Sequence, residues 1–397
     1  MGYYSPDLEF SMFVSAMSYF LLVFFLLMVA YSFLIGYYHK AWNRLPVFEP
    51  SGTAHTTFIS VIIPVRNEEK NIEGLINSLN EQTYPKDLYQ VVVVDDFSED
   101  NTWQLLQSIQ LNELFITGIK MADRPAVATT APKKKAIEAG IGVAGGKLIV
   151  TTDADCRFHK EWLATIASFY ESTGAKFIAA PVKITTPTIN LLSIFQSLDF
   201  LTLQGITAAS VYRKFHSMCN GANLAYEKDA FYAVDGFESI DHIASGDDML
   251  LMHKIFRKYP DRVFYLKSKT AIVETDPMHS WNEFFQQRIR WASKADKYDD
   301  KRIFWVLLLV YVLNFCFLAG ALATIWKNIW LFFVCLLLIA KLLIEFPFVN
   351  SIAIFFGQQR LMLYFPFLQP LHILYTIIAG WLGRFGHYTW KGRRISR

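Results

Sequence analysis

Charge is what this sequence has least of. Of its 397 residues only 18% are Asp, Glu, Lys or Arg, against 53% hydrophobic, and the mean hydropathy is +0.25. Soluble domains carry about a quarter charged residues, so part of this chain belongs in lipid. Cysteine is scarce too. Cys156, Cys219, Cys316 and Cys335 form no CxxC pair, which suggests neither a zinc site nor a disulfide framework and points to a reducing compartment. No long basic run with interleaved aromatics occurs and the net charge is only +3, so nucleic acid is not an expected partner. No GxGxxG follows the first apolar strand, which disfavours a Rossmann oxidoreductase.

The apolar residues are concentrated at the two ends. Phe10 to Tyr37 is nearly uncharged and longer than the ~20 helical residues that cross a hydrocarbon core. A cleaved signal peptide fits poorly, because Asp7 and Glu9 precede the run where positive charge would be needed. Lys40 and Arg44 follow it, which predicts an outside N-terminus and a cytoplasmic central region. Beyond Lys301, Ile303 to Ile325 and Ile329 to Phe348 read as two further spans. Leu361 to Leu382 contains Pro366 and Pro370, so it reads either as a kinked span or as an interfacial segment. Length favours three C-terminal spans. The terminal Lys391-Gly392-Arg393-Arg394 cluster favours two, which would return it to the cytoplasm. The expected division is 1–45 as an N-terminal transmembrane helix, 46–301 as a cytoplasmic domain, and 302–397 as membrane segments with a basic tail.

From about Thr57 to Lys301 the pattern changes. Phe58 to Val65, Val91 to Val94 and Leu148 to Thr152 are short runs apolar on both faces, alternating with amphipathic stretches such as Asn71 to Gln82. This is the signature of an α/β domain with a mostly parallel sheet, whose ligands bind at the carboxyl ends of the strands. Acidic residues gather at those ends. Asp95 and Asp96 end one strand, where a base or ribose could be held or where the next helix is simply capped. Asp153 and Asp155, at i and i+2, end another. They could converge on one magnesium or manganese ion bridging a diphosphate, or form a polar turn. Asp247 and Asp248 open a helical pattern, suited to helix capping or to a general base. Gln287, Arg290 and Trp291 form a QxxRW pattern that offers a diphosphate clamp and a flat wall, or a membrane-interface anchor.

In this order and spacing the four groups resemble the processive and lipid-directed members of glycosyltransferase family 2, from Phe58 to Trp291 and into the flanking spans. The resemblance implies a GT-A fold and an inverting, metal-dependent transfer without a covalent intermediate. The expected donor is a nucleotide-sugar, foremost a UDP-sugar, and the expected acceptor a lipid or lipid-linked glycan. It also implies residue roles. Pro64, Val65, Asn67, Glu68, Asp95, Asp96, Lys134, Lys135, Asp153, Gln287, Arg290 and Trp291 would bind the donor, and Asp153 and Asp155 a divalent cation. The two lysines belong to the Lys133-Lys134-Lys135 stretch ahead of the DxD motif. Asn220, Gly221, Asn223 and Asp247 would line the acceptor side, with Asp248 as the base. A bacterial inner membrane is the implied location.

Polysaccharide synthases of this family build their channel from more spans than this chain has. A processive synthase and a non-catalytic membrane scaffold are the alternatives, and intact carboxylates at all three positions count against the scaffold. Lys341 and Glu345, four residues apart in an apolar run, share one helix face. They read either as a snorkelling interface pair or as a device holding an acidic lipid acceptor.

Overall fold

The computed structural model describes residues 6–50, 55–109, 115–124, 131–186, 188–215, 218–243, 246–293, 300–385, 388–390 and 393–395. Lys391 and Gly392 of the terminal basic cluster lie outside these residues. Helix α1 (Pro6–Arg44) leads into β1 (Ile59–Val65), α2 (Ile72–Asn80), β2 (Tyr89–Asp95), α3 (Thr102–Ser108), β3 (Ile116–Lys120), α4 (Pro132–Val143) and β4 (Leu148–Thr151). Next come β5 (Cys156–Phe158), α5 (Trp162–Thr173), β6 (Phe177–Ala179), β7 (Val182–Ile184), α6 (Leu191–Arg213) and β8 (Leu224–Glu227). After α7 (Lys228–Tyr232), α8 (Met249–Lys258), β9 (Val263–Tyr265), β10 (Val273–Thr275) and α9 (Trp281–Ala292), the long helices α10 (Lys301–Ala323), α11 (Ile329–Phe355) and α12 (Phe365–Phe385) follow. A backbone hairpin of β11 (Tyr388–Trp390) and β12 (Arg393–Ile395) comes last.

The main sheet has seven strands in the order β3-β2-β1-β4-β8-β6-β9, and all but β8 run one way. A smaller sheet, β5-β10-β7, flanks it. Alternate residues along each central strand face opposite sides, as the strand period of two requires. Val61, Ile63, Val91, Val93, Leu148 and Val150 pack against α2 and α5. Ile62, Val92, Val94 and Ile149 belong to a second core that also contains Phe24, Trp42, Phe348 and Ile352 of the long helices. One hydrophobic core therefore runs from a sheet face into the membrane helices.

Two contacts fix that seam. A Cβ on Gly205 of α6 would stand 2.0 Å from Ile352 of α11, so only glycine allows these helices to approach so closely. The Lys267 ammonium donates to the carbonyls of Trp42 (2.8 Å) and Leu45 (3.2 Å) and lies 3.9 Å over the Trp42 ring. It thereby satisfies carbonyls that the end of α1 leaves without helical partners. Burial pushes this lysine down to about 8.

Four helical segments among the described residues are long and apolar enough to cross a membrane: Met17–Arg44, Lys301–Ala323, Ile329–Phe355 and Phe365–Arg384. The last is the least apolar of them. Along its length α12 touches the elements of the central region. His372 approaches Asp199 of α6, Tyr375 packs on Phe195 and Phe284, and Gly383 lies on Ala292 of α9.

Lys341 and Glu345 do share a face, and both are buried. Lys341 Nζ donates to Glu345 Oε1 (2.6 Å) and Gln369 Oε1 (2.7 Å), Gln369 Nε2 donates to Glu345 Oε2 (2.8 Å), and the Tyr31 hydroxyl donates to Glu345. The network ties α1, α11 and α12 together. Neither charge snorkels, and neither lines the large cavity described below. The pair is a polar clasp inside the helix bundle.

Candidate active site

The parallel strands β1, β2 and β4 deliver their following loops to one sheet edge. Because β8 is antiparallel, its beginning rather than its end reaches that edge, which brings Asn220 and Gly221 to the same place. Two loops there are stitched together. Arg66 Nη1 donates to the carbonyls of Asp96 (3.0 Å) and Phe97 (2.5 Å), and its Nη2 donates to Glu99 (2.8 Å). Asn67, at φ +53°, accepts from the Glu99 N–H and donates its own N–H to Ser98 Oγ. A left-handed conformation suits asparagine better than most residues. Asp95 is fully buried. Its Oδ2 accepts from the Ser98 N–H at 3.3 Å, and its Oδ1 has no hydrogen-bond partner among the described residues.

A cavity of about 1290 Å³ opens over this edge. Pro64, Val65, Glu68, Asp96, Asp153 and Asp155 line it, as do Asn220, Gly221, Asp247 and Asp248 across from them. Helix α9 contributes Gln287, Arg290 and Trp291. The cavity continues between α10 and α12, past Phe304, Leu307, Leu308, Tyr311, Ala379 and Trp381, with Arg384 also in its wall. Its polar part thus opens directly into an apolar slot between two of the long helices.

Some expected residues stand elsewhere. Asn67 is exposed and Asp95 fully buried, and neither lines the cavity. Asn223 is buried, accepting from Trp162 Nε1 (3.1 Å) and donating to the carbonyls of Pro181 and Ala271 (both 2.8 Å), so its side chain locks strands instead of facing an acceptor. Lys134 is also buried and donates to the carbonyls of Ile240 (2.6 Å) and Ile243 (2.9 Å), while Lys135 pairs with Glu138. The lysine that faces the cavity is Lys133, 2.7 Å from Asp153 and 3.1 Å from Asp247. Helical phase explains the choice: Lys134 shares a face with the buried Ile137 and Ile141, at i+3 and i+7. Burial would release the Lys133 proton, but the charges of Asp153, Asp247 and Asp248 outweigh it and raise the pKa above the usual lysine value.

Sequence reasoning also missed Arg288, the residue after Gln287. It is buried between the rings of Trp291 and Phe284, its Nε donates to Asp199 at 2.9 Å, and its Nη1 donates to Gln287 Oε1 at 2.6 Å. This pairing sets the position of Trp291 and Gln287. Its one signal in the sequence is an arginine inside an amphipathic helix with an aspartate far upstream.

The carboxylates suit a hard divalent cation. Asp153 and Asp155 leave the same strand end, and Thr275 Oγ1 steadies Asp155 Oδ2 at 3.2 Å. Among the described residues no group of three or more His, Cys, Asp or Glu is preassembled for a metal. Two carboxylates fit magnesium or manganese whose remaining ligands are diphosphate oxygens and water.

Comparison with known proteins agrees with the fold. The family described as Glycosyl transferase family 2 matches residues 60–231, and Glycosyl transferase family group 2 matches residues 148–382, more than half of the chain. The glycosyltransferase AglE of Haloferax volcanii is 26% identical over 279 residues, covering 66% of this chain and 82% of that protein. The poly(ribitol-phosphate) beta-N-acetylglucosaminyltransferase TarS of Staphylococcus aureus is 34% identical over 112 residues, covering 28% of this chain and only 18% of TarS. Among solved structures, the mannosyltransferase PcManGT of Pyrobaculum calidifontis, in complex with GDP-Man and Mn2+, superimposes with a TM-score of 0.57 at 18% identity. That match covers 91% of this chain and 99% of the other. The GT-A arrangement that the family resemblance implies is thus the fold found, and the chain is a glycosyltransferase belonging to Glycosyl transferase family group 2.

Proposed function

We propose that the protein transfers a sugar, with inversion, from a nucleoside diphosphate sugar to a lipid or lipid-linked glycan at the cytoplasmic membrane face. The observation that carries the lipid acceptor is the continuity of the cavity, from Asp248 and the DxD carboxylates into the apolar slot between α10 and α12. An amphiphile with its chain in that slot would present its head to the carboxylates. Asp96, which lines the cavity at the end of β2, supports a nucleoside site there. Uridine is the base proposed for it.

Asp248 would accept the acceptor hydroxyl's proton as that oxygen attacks the anomeric carbon. A bound divalent cation supplies neutralisation of the charge that develops on the departing nucleoside diphosphate. Arg290 adds positive charge on the same side, and Trp291, held by Arg288, forms a wall for the sugar or acceptor ring.

The test is a donor panel offered to purified protein in vesicles, reading nucleoside diphosphate release with and without added lipid acceptor and EDTA. The expected result is release from one UDP-sugar, stimulated by the lipid fraction and abolished by EDTA. Release that is indifferent to both would overturn the reading. Within that assay, Asp155→Ala is expected to weaken only the manganese-dependent binding of UDP, and Asp96→Ala to weaken uridine binding with or without manganese. Equal losses for both ligands in both variants would refute the division of roles.

A further inference from the structure

The cleft already contains a cation of its own. Lys133 Nζ stands between Asp153 Oδ1 (2.7 Å) and Asp247 Oδ2 (3.1 Å), joining the DxD turn to the loop that opens α8. This bridge has been given room. A Cβ on Gly221 would lie 3.3 Å from Asp247 Oδ2 and 3.5 Å from Lys133 Nζ, so any side chain there would crowd the contact. It is also anchored, because the neighbouring Lys134 is fixed to the carbonyls of Ile240 and Ile243. The Lys133 backbone therefore holds its place while its side chain reaches into the cleft.

We propose that Lys133 is a built-in counter-ion that occupies Asp153 until a diphosphate arrives, so that the cleft refuses a free divalent cation and admits one only together with the nucleotide. The inference rests on the donor-site reading above. Its physical basis is competition. An ammonium and a divalent ion seek the same carboxylate oxygen, and a divalent ion seated beside the ammonium would be repelled by it. Two of the cleft carboxylates are already neutralised in part by Lys133. A nucleoside diphosphate changes that balance by adding anionic oxygens, enough to hold the metal and the ammonium together. Lys133 would then turn from Asp153 towards the phosphates while keeping Asp247. The protein thus gains a fixed order, in which metal and nucleotide enter together and Asp153 and Asp247 stay paired in the empty state.

A merely structural lysine would behave in the opposite way. Its removal would loosen the cleft and weaken metal binding, whereas removal of a competing cation tightens it. The experiment titrates Mn2+ alone against the full-length protein in detergent and follows the free-ion signal by electron paramagnetic resonance. Lys133→Met is expected to lower the Kd for Mn2+ without nucleotide by about ten-fold or more. Lys133→Arg, which keeps the charge, and Lys135→Met, which lies outside the cavity, are expected to match the parent protein. With UDP present, the advantage of Lys133→Met should vanish or reverse. Should Lys133→Met lower the unfolding midpoint, Lys133→Gln, whose amide can still donate to Asp153, carries the same expectation. Nucleotide-free affinity equal to or weaker than the parent's in these neutral variants overturns the inference. Failure of the parent protein to bind Mn2+ even with UDP instead overturns the metal-dependent donor site, a separate result read in the same titration.

Discussion

Asp248→Asn is expected to lower the rate of sugar transfer by about 10²–10⁴-fold, equivalent to roughly 3–5 kcal/mol of barrier. The substitution separates chemistry from architecture. Asp248 caps α8, its Oδ1 accepting from the Met249 N–H at 2.7 Å, and asparagine caps helices about as well. The loop should therefore keep its shape, and UDP and manganese titrations should give near-parent affinities. What asparagine cannot do is take a proton from the acceptor hydroxyl. Asp247→Asn provides the contrast, because Asp247 is engaged by Lys133 and its loss should show in the order and strength of metal binding. Turnover of Asp248→Asn near the parent value, measured as product formed per folded protein, would remove Asp248 from the role of base.

The second large effect concerns folding. Lys341→Leu leaves Glu345 buried with Tyr31 and Gln369 as its hydrogen-bond partners among the described residues, and stranding one member of a buried ion pair costs about 3–5 kcal/mol. The double change of Lys341 and Glu345 to Leu removes both charges and leaves only the neutral Tyr31 hydroxyl and Gln369 amide of the network, so it should be tolerated better than either single change. Unfolding midpoints of the three variants in one detergent decide the matter. A double variant less stable than both singles would show that the clasp contributes more than mutual neutralisation. Donor hydrolysis per folded molecule should be unchanged in all three, because neither residue lines the cavity.

The strand ends were the most legible part of this protein. Each is an apolar run stopped by carboxylates, and both properties are local: Val91 to Val94 bury both faces, and Asp95 and Asp96 stop the run. The sheet order was not legible, because β8 enters antiparallel and nothing near Leu224 says so. The acidic and QxxRW residues were found by type and spacing, and the cavity wall contains most of them. Lys134 and Asn223 show the limit of that approach. Each has the residue type a ligand would want, yet tertiary packing turned each inward to satisfy carbonyls far away in sequence. Helical phase would have separated Lys133 from Lys134. No local signal could have paired Arg288 with Asp199, which lies 89 positions earlier.

The hydrophobic core that runs from one sheet face into the long helices has a consequence for how this protein can be rearranged. A fragment cut between Arg44 and Lys301 would turn the inner faces of α6 and α9 towards water, so the central region is not a detachable cassette. Nor can its long helices be exchanged freely for those of a relative, since Ile352 and Phe348 of α11 fill the space that a side chain at Gly205 would need. Chimaeras that move the spans alone should stick at this seam. Those that carry α6, α9 and the spans as one block keep the contact surfaces matched.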